Sequence, residues 1–315
     1  MEIRRVGVAG TGMMGPGIAS VMALAGCEVS LVSRTDRNAA LGVAKANAFI
    51  DALVANRLAE SSTGADACRR IAGAIDAEEI ARSADLFIES IAENLTVKQD
   101  YFERLDRAAP DTILCSNTSG ISITQIGAKC AKPERILTTH FWNPPHLMPL
   151  VEVVMGADTD PSIAEGVVTF LRTAGKVPVL VRKDRPGQLG NRFFNALIRE
   201  CVNIVEEGIA TAEDVDLAIK MGMGLRFPAY GVFEHLDLVG LDLAKAVQDY
   251  VFPELSASQC AGGILQDKVA KGEVGAKTGR GFLEWTPQKA NQVREQRDRF
   301  LVQVLQWQQE ARLNP

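Results

Sequence analysis

At 315 residues the chain is long enough for two domains of ordinary size, each able to bury a core. Hydrophobic residues make up 47% and charged residues 23%, a globular balance that excludes disorder as the main state. Lys and Arg number 34 against 39 Asp and Glu, so a net charge of −5 offers no global basic field, and neither a nucleic acid nor a membrane is expected as a partner.

The cysteines at 27, 68, 115, 130, 201 and 260 form no CxxC pair and read as reduced thiols. The opening MEIRRVGVAGTG runs its charges straight into a short apolar strand, without the apolar region of a signal peptide. The longest apolar stretches, such as Ile18 to Gly26, fall short of the ~20 residues of a membrane span. A cytoplasmic protein without a bound metal is expected.

In chain order, β-branched runs predict strands at Val6–Ala9, Glu28–Ser33, Asp85–Ser90, Thr112–Ser116, Arg135–His140, Leu150–Met155 and Pro178–Arg182. Between them, helices are expected near Gly15–Ala25, Asn38–Leu58, Val97–Ala108 and Ser162–Ala174, long enough to act as crossovers in a parallel sheet. The fold class is α/β, a doubly wound sheet over residues 1–185. After Pro186-Gly187 the strand signal stops. Leu189, Phe193, Leu197, Cys201, Ile204 and Val205 then recur at helical spacing, so residues 186–315 read as an all-helical domain. Thr211 to Asp214 caps a second helix that closes at Gly222, and others are expected at Tyr230–Leu238, Asp242–Val251 and Pro287–Arg312. The last is amphipathic and suited to packing on its own domain or on a second subunit.

Gly10-Thr-Gly12-Met13-Met14-Gly15 matches GxGxxG after a strand and at the start of a helix, where that spacing has physical meaning. The first glycine makes the tight turn, the second admits a pyrophosphate to the backbone, and the third packs the helix on the sheet, as in a Rossmann-like dinucleotide site. Free N–H groups and the positive helix end favour phosphate there. The alternative is a tight packing turn in another α/β fold. At the end of the second strand, where a carboxylate would read the ribose, stand Ser33 and Arg34. A small hydroxyl followed by a guanidinium is able to take a 2′-phosphate, so the cofactor is NAD or NADP, with NADP favoured on these two residues. The plain reading of Arg34 is a solvated strand-end charge.

His140 ends one strand and Glu152 lies in the next, a pairing suited to acid/base chemistry because the carboxylate fixes the imidazole tautomer. A buried His and Glu satisfying each other in a sheet is the commoner arrangement. Ser116-Asn117-Thr118-Ser119-Gly120 stands at a strand's carboxyl end and Asn191 opens the first helix of the second half, where ligands of open α/β sheets bind. A turn-forming cluster and a helix cap are their plainer readings.

Together with Glu93-Asn-Leu-Thr-Val-Lys98, His140-Phe-Trp-Asn143-Pro144, Leu150-Val-Glu152-Val, Pro186-Gly187 followed by Asn191-Arg192, and Lys277-Thr-Gly-Arg-Gly-Phe282, these motifs occur in one order over nearly the whole chain. In this the chain resembles the 3-hydroxyacyl-CoA dehydrogenase family. The resemblance implies an oxidoreductase acting on CH–OH with a nicotinamide cofactor. It implies His140 as general base with Glu152 as its partner, and Ser119 and Asn191 on the reacting oxygen. Glu93 and Lys98 are implied at the nicotinamide ribose, with Met13, Met14 and Asn117 in the cofactor set. A homodimer through the C-terminal domain and a place in fatty acid metabolism follow from the same resemblance.

The chain departs from the acyl-CoA members at Ser33, where they carry Asp, and in the helix after it, where Lys45 and Arg57 are the remaining groups to meet CoA phosphates. Pro145 and His146 are further departures, and similar Pro-Pro turns occur in members that resemble carnitine, gulonate or pyridoxine-breakdown dehydrogenases. Asn143, His146 and Arg226 are therefore candidate substrate contacts. His146 is equally read as a turn-surface residue, and for Arg226 a surface arginine past a helix end stands first. The leading expectation is a dehydrogenase of a 3-hydroxyacyl-CoA of the 3-hydroxybutyryl-CoA type; the alternatives are a dehydrogenase of a CoA-free hydroxy acid or carboxylated ring alcohol, and a non-catalytic dinucleotide-binding protein like the family's crystallin relatives.

Overall fold

A computed structural model of the chain describes residues 1–313, with side chains described as far as residue 310. Compactness divides it into two units: Met1–Asn191 with the chain from Arg297 on, and Arg192–Gln296.

Among the described residues, the first unit is built on one eight-stranded sheet in the order β3-β2-β1-β4-β5-β6-β7-β8. The strands are β1 Arg5–Ala9, β2 Glu28–Val32, β3 Ile71–Ala74, β4 Leu86–Glu89, β5 Ile113–Ser116, β6 Ile136–Phe141, β7 Leu150–Met155 and β8 Val177–Val181. Helices α1 Gly15–Leu24, α2 Asp36–Ala55, α3 Ser61–Arg69, α4 Ala77–Ser83, α5 Leu95–Ala108, α6 Ile123–Ile126 and α7 Pro161–Thr173 intervene. Side chains alternate across the sheet with the two-residue period of a strand: Leu86 and Ile88 enter one apolar cluster with Ile18 and Met22 of α1, while Phe87 enters the other with Phe102 and Leu105 of α5. Both faces are covered, as a doubly wound fold requires.

Two expectations need correction. Strand β3 and helices α3 and α4 lie in a stretch where no element was assigned. The sheet is also not parallel throughout, because β7 runs antiparallel to β6. Residues 142–149 return the chain by a turn without a crossover helix, and His140 and Glu152 thereby become directly opposed partners.

The order reverses between β1 and β4, so the carboxyl ends of these strands form the switch point at which ligands of open sheets bind.

The second unit takes up most of α8 Gly190–Glu206, then α9 Ala212–Met221, α10 Met223–Arg226, α11 Val232–Val239, α12 Leu241–Val251 and α13 Gly263–Ala270, and the start of α14 Pro287–Leu313. Thr211 caps α9 by accepting from Asp214 N–H at 3.1 Å, as its spacing predicts. Helices α10 and α13 were not anticipated. Two isolated bridges, Gly275 with Arg280 and Arg280 with Glu284, add a small non-helical corner.

Candidate active site

The loop from Gly10 to Gly15 leaves β1 at the switch point. Gly10 has φ +106°, and a Cβ there would lie 2.3 Å from the Ser90 carbonyl, so the backbone conformation and the approach of β4 both demand glycine. A Cβ on Gly15 would lie 1.7 Å from the Gly10 carbonyl. At Gly12 it would meet nothing within 4 Å, so the loop is bare on its open side, where a dinucleotide needs room. These are the features a pyrophosphate cradle needs. At the end of β2, Ser33 Oγ lies 3.2 Å from Thr11 Oγ1 and Arg34 is exposed.

A cleft of about 390 Å³ adjoins the loop, lined by Met13, Met14, Glu93, Asn117, Ser119, His140 and Asn143 among others. Seven of the expected positions thus come together in one cavity. Asn117 is fixed from both ends, donating to Ser90 Oγ at 3.2 Å and accepting from Phe141 N–H at 2.8 Å.

His140 Nδ1 lies 2.7 Å from Glu152 Oε2, and the carboxylate is fully buried. Trp142 Nε1 donates to the same oxygen at 3.1 Å, and the N–H groups of Leu189 and Gly190 donate to Oε1 at 2.8 Å each. Burial pushes the Glu152 carboxyl up, but the hydrogen bonds from His140, Gly190 and Trp142 outweigh it and hold the group below the usual carboxylate range. One carboxylate thus orients the imidazole and caps the start of α8. Trp142, the residue after β6, was not foreseen as a donor, nor were the N–H groups of Leu189 and Gly190, which reach Glu152 only because the chain returns to it after β8.

Asn191 donates from Nδ2 to the Ser119 carbonyl at 2.7 Å, which brings two of the expected oxygen-binding residues together. Ser119 in turn faces Glu93, whose Oε1 accepts from Thr118 Oγ1 at 2.6 Å and from Ser119 N–H at 3.1 Å. Burial raises the Glu93 carboxyl, and the Thr118 hydroxyl, the Lys98 charge and the Ser119 N–H bring it below its ordinary value. Lys98 does not line the cleft. Its side chain is 1% exposed, with Nζ 2.6 Å from Glu89 and 3.4 Å from Glu93.

His146 lies elsewhere. Its ring stacks on Phe49 with centroids 4.0 Å apart, and its Nδ1 is buried without a hydrogen-bond partner among the described residues. Burial pulls it down to about 4. The turn that carries it is pinned by Lys176, whose ammonium donates to the carbonyls of Pro145 and Met148 at 2.7 and 2.9 Å. Arg226 ends α10 in the second unit, exposed. Among the described residues no group of His, Cys, Asp and Glu is arranged to hold a metal ion, and no helix is long and apolar enough to cross a membrane.

A doubly wound sheet with GxGxxG at its switch point, followed by a helical unit, is the build of a nucleotide-dependent dehydrogenase. The chain belongs to the 3-hydroxyacyl-CoA dehydrogenase family: residues 5–185 match the family model for its NAD binding domain and residues 187–285 that for its C-terminal domain. It is 34% identical to 5-formyl-3-hydroxy-2-methylpyridine 4-carboxylate 5-dehydrogenase of Mesorhizobium japonicum, over 96% of this chain and 97% of the relative. It is 37% identical to human mitochondrial hydroxyacyl-coenzyme A dehydrogenase, over 90% and 91%. A crystal structure of the pyridine carboxylic acid 5-dehydrogenase, described as an NAD+ dependent dismutase, aligns with a TM-score of 0.89 at 32% identity, covering 96% of this chain and 97% of that one. The (S)-3-hydroxybutyryl-CoA dehydrogenase PaaH1 of Ralstonia eutropha aligns at 0.75 with 32% identity, covering 90% and 100%.

Proposed function

We propose that the chain is an NAD(P)-dependent dehydrogenase of a small carboxylated substrate that carries no CoA: a ring alcohol, a polar hydroxy acid or a hydrated aldehyde, each presenting CH–OH. The observation that carries the reaction is the buried His140–Glu152 pair on the wall of the cleft beside the Gly10–Gly15 loop. With Nδ1 held by the carboxylate, Nε2 of His140 is the basic atom, and it takes the hydroxyl proton of the substrate. The imidazolium so formed is stabilised by Glu152. Ser119 and Asn191 hold the reacting oxygen as it becomes a carbonyl, and Asn143 borders the substrate. The Gly10–Gly15 loop would hold the pyrophosphate of the dinucleotide, and Met13, Met14, Glu93 and Asn117 would border its nicotinamide end. A nicotinamide held there would supply the hydride acceptor.

The CoA-free reading is favoured by Lys45, one of the two cations left on the segment that would meet CoA. Its ammonium lies 3.3 Å from the Gly12 carbonyl and 5.8 Å from the Phe49 ring centroid, turned to the dinucleotide loop. The pyridine carboxylate relative, which covers 96% of the chain against 90% for the human mitochondrial hydroxyacyl-coenzyme A dehydrogenase, supports the same reading. His146, stacked on Phe49, is left out of the substrate set. The family name and the 3-hydroxybutyryl-CoA dehydrogenase relatives support a second reading, a 3-hydroxyacyl-CoA substrate. The deciding experiment offers carboxylated pyridine alcohols and aldehydes, free 3-hydroxybutyrate and 3-hydroxybutyryl-CoA side by side, following cofactor absorbance. Turnover confined to the thioester would replace the first reading with the second, and no turnover with any alcohol would leave a non-catalytic dinucleotide binder.

NAD is the dinucleotide of the family, and Ser33 with Arg34 extends acceptance to NADP. We assign cofactor binding and the substrate contacts of His140, Ser119 and Asn143 to residues 1–185, and Asn191 together with pairing with a second copy of the chain to residues 186–315. Exposed Phe233, Leu238 and Tyr250 support a homodimer.

A further inference from the structure

We infer that the last helix is a specificity element: from Arg297 on, α14 together with His146 occupies the face of α2 along which a CoA chain would lie, and so keeps a thioester out. The inference rests on the CoA-free reading proposed above and gives it a structural cause. Helix α14, Pro287–Leu313, starts just past the family's C-terminal domain, whose match ends at residue 285. The 3-hydroxybutyryl-CoA dehydrogenase of Mycobacterium tuberculosis is matched over 99% of its own length but over 90% of this chain, whereas the pyridine carboxylate relative matches over 96% of this chain. The helix is thus an addition to the body that the acyl-CoA enzyme shares.

Its placement is defined within the first unit, to which the chain from Arg297 on belongs. Positions 45, 49 and 56 recur at helical spacing along one face of α2 and its C-cap. Each is already taken. Lys45 turns its ammonium to the Gly12 carbonyl at 3.3 Å, and His146 stacks on Phe49 with ring centroids 4.0 Å apart. Gln306 of α14 donates from Nε2 to the Asn56 carbonyl at 2.7 Å. Gln309 Nε2 lies 3.5 Å from the Leu58 carbonyl, on the other side of Arg57, whose left-handed backbone of φ 57° ends the helix. Asp298 and Arg297, two turns before Gln306, bear electrostatically on His146. The segment therefore follows α2 from the His146 turn to the helix end.

No residue of α2 or α14 lines the cleft that holds Ser119, His140 and Asn143. A small substrate is contained in that cleft. A CoA substrate carries in addition a long polyanionic tail, and the cations left to receive it, Lys45 and Arg57, stand at the two ends of the covered face. What the helix withholds is their charge-assisted hydrogen bonding to phosphate.

The test compares the full chain with its variant Leu301→Gln/Leu305→Gln, which alters two half-buried residues one turn apart on α14 and loosens the segment without changing its charge. Titration calorimetry gives the dissociation constants of 3-hydroxybutyryl-CoA, coenzyme A and free 3-hydroxybutyrate with NADH saturating. NADH prevents turnover and keeps the ADP portion of coenzyme A off the dinucleotide loop. The unmodified chain is expected to bind both CoA compounds weakly. In the variant both are expected to bind at least about tenfold more tightly, the worth of one recovered charge-assisted hydrogen bond. NADH and free 3-hydroxybutyrate are expected to stay within about threefold, a selectivity that general loosening of the fold would not produce. A variant that binds NADH normally but the CoA compounds no better overturns the inference and leaves the CoA-free reading standing. An equal gain for free 3-hydroxybutyrate overturns it too, because the barrier would then lie at the cleft. Tight binding and turnover of 3-hydroxybutyryl-CoA by the unmodified chain instead removes the CoA-free reading, and the barrier with it. Should the variant be insoluble, Leu301→Ala/Leu305→Ala decides by the same criteria.

Discussion

The two units use similar amounts of apolar sequence to different ends. In the first, β4, β5 and β6 are buried along their whole length, and two apolar clusters fill the two faces of the sheet. In the second, helices α9 to α13 contain no buried residue, although α11 and α12 carry Phe233, Leu238, Leu241 and Tyr250, with Phe233 81% and Tyr250 83% exposed. A doubly wound sheet closes its core with its own crossover helices. A helical layer of this kind has apolar faces to spare, and at roughly 25 cal/mol per Å² their burial is worth having, which is why a second copy is the proposed cover.

Four measurements test this difference between the two units. In the finished unit, His140→Ala should lower kcat by about 10²–10⁴-fold with little change in the dissociation constant for NAD, because the sheet does not depend on that ring. A similar loss in NAD binding would mean that the site is not independent of its frame. In the helical unit, Leu238→Asp should weaken self-association by about 100-fold or more, read as a halved mass by sedimentation at micromolar concentration. An unchanged mass would remove α11 from the interface. At the edge of the cofactor site, Ser33→Asp should weaken NADP about tenfold or more and leave NAD within a few fold, since a carboxylate repels a 2′-phosphate and accepts from a 2′-hydroxyl. Equal effects on both cofactors would dismiss Ser33 as a reader of the ribose.

The smallest effect concerns His146. Its folded value of about 4 lies below the unfolded ~6.5, so the unfolded chain binds the extra proton between those limits and stability falls as the pH drops through that window. Above pH ~6.5 both states are neutral and the term vanishes. His146→Phe, which keeps the stack on Phe49 without the ionisable nitrogen, should show a shallower decline of melting temperature between pH 6.5 and 4. An unaltered slope would assign acid sensitivity to other groups.

What was legible in the sequence were features written locally. The loop at Gly10–Gly15, the strands carrying His140 and Glu152, and the Thr211 cap rest on spacing within one segment, and they are present. What was not legible depends on returns of the chain. Strand β3 reads Ile-Ala-Gly-Ala, too short and too small to show a strand pattern, and it exists because β2 offers it an edge. The antiparallel turn of β7 follows from the 142–149 connection, which holds no crossover helix. Glu89 falls inside the expected strand Asp85–Ser90, and only the arrival of α5 makes it the partner of Lys98. His146 carries a chemically suggestive side chain, yet its ring is spent on packing.

A glycine and an indole described above are locked together. A Cβ at Gly190 would lie 2.1 Å from Cζ2 of Trp142, while the indole N–H rests on the Glu152 carboxylate. Positions 142 and 190 therefore form one volume shared by two addresses 48 residues apart. A designer who moves this tryptophan into a related chain has to carry the glycine with it. Conversely, a larger residue at 190 becomes admissible only once a smaller side chain stands at 142, so the two positions have to be changed together.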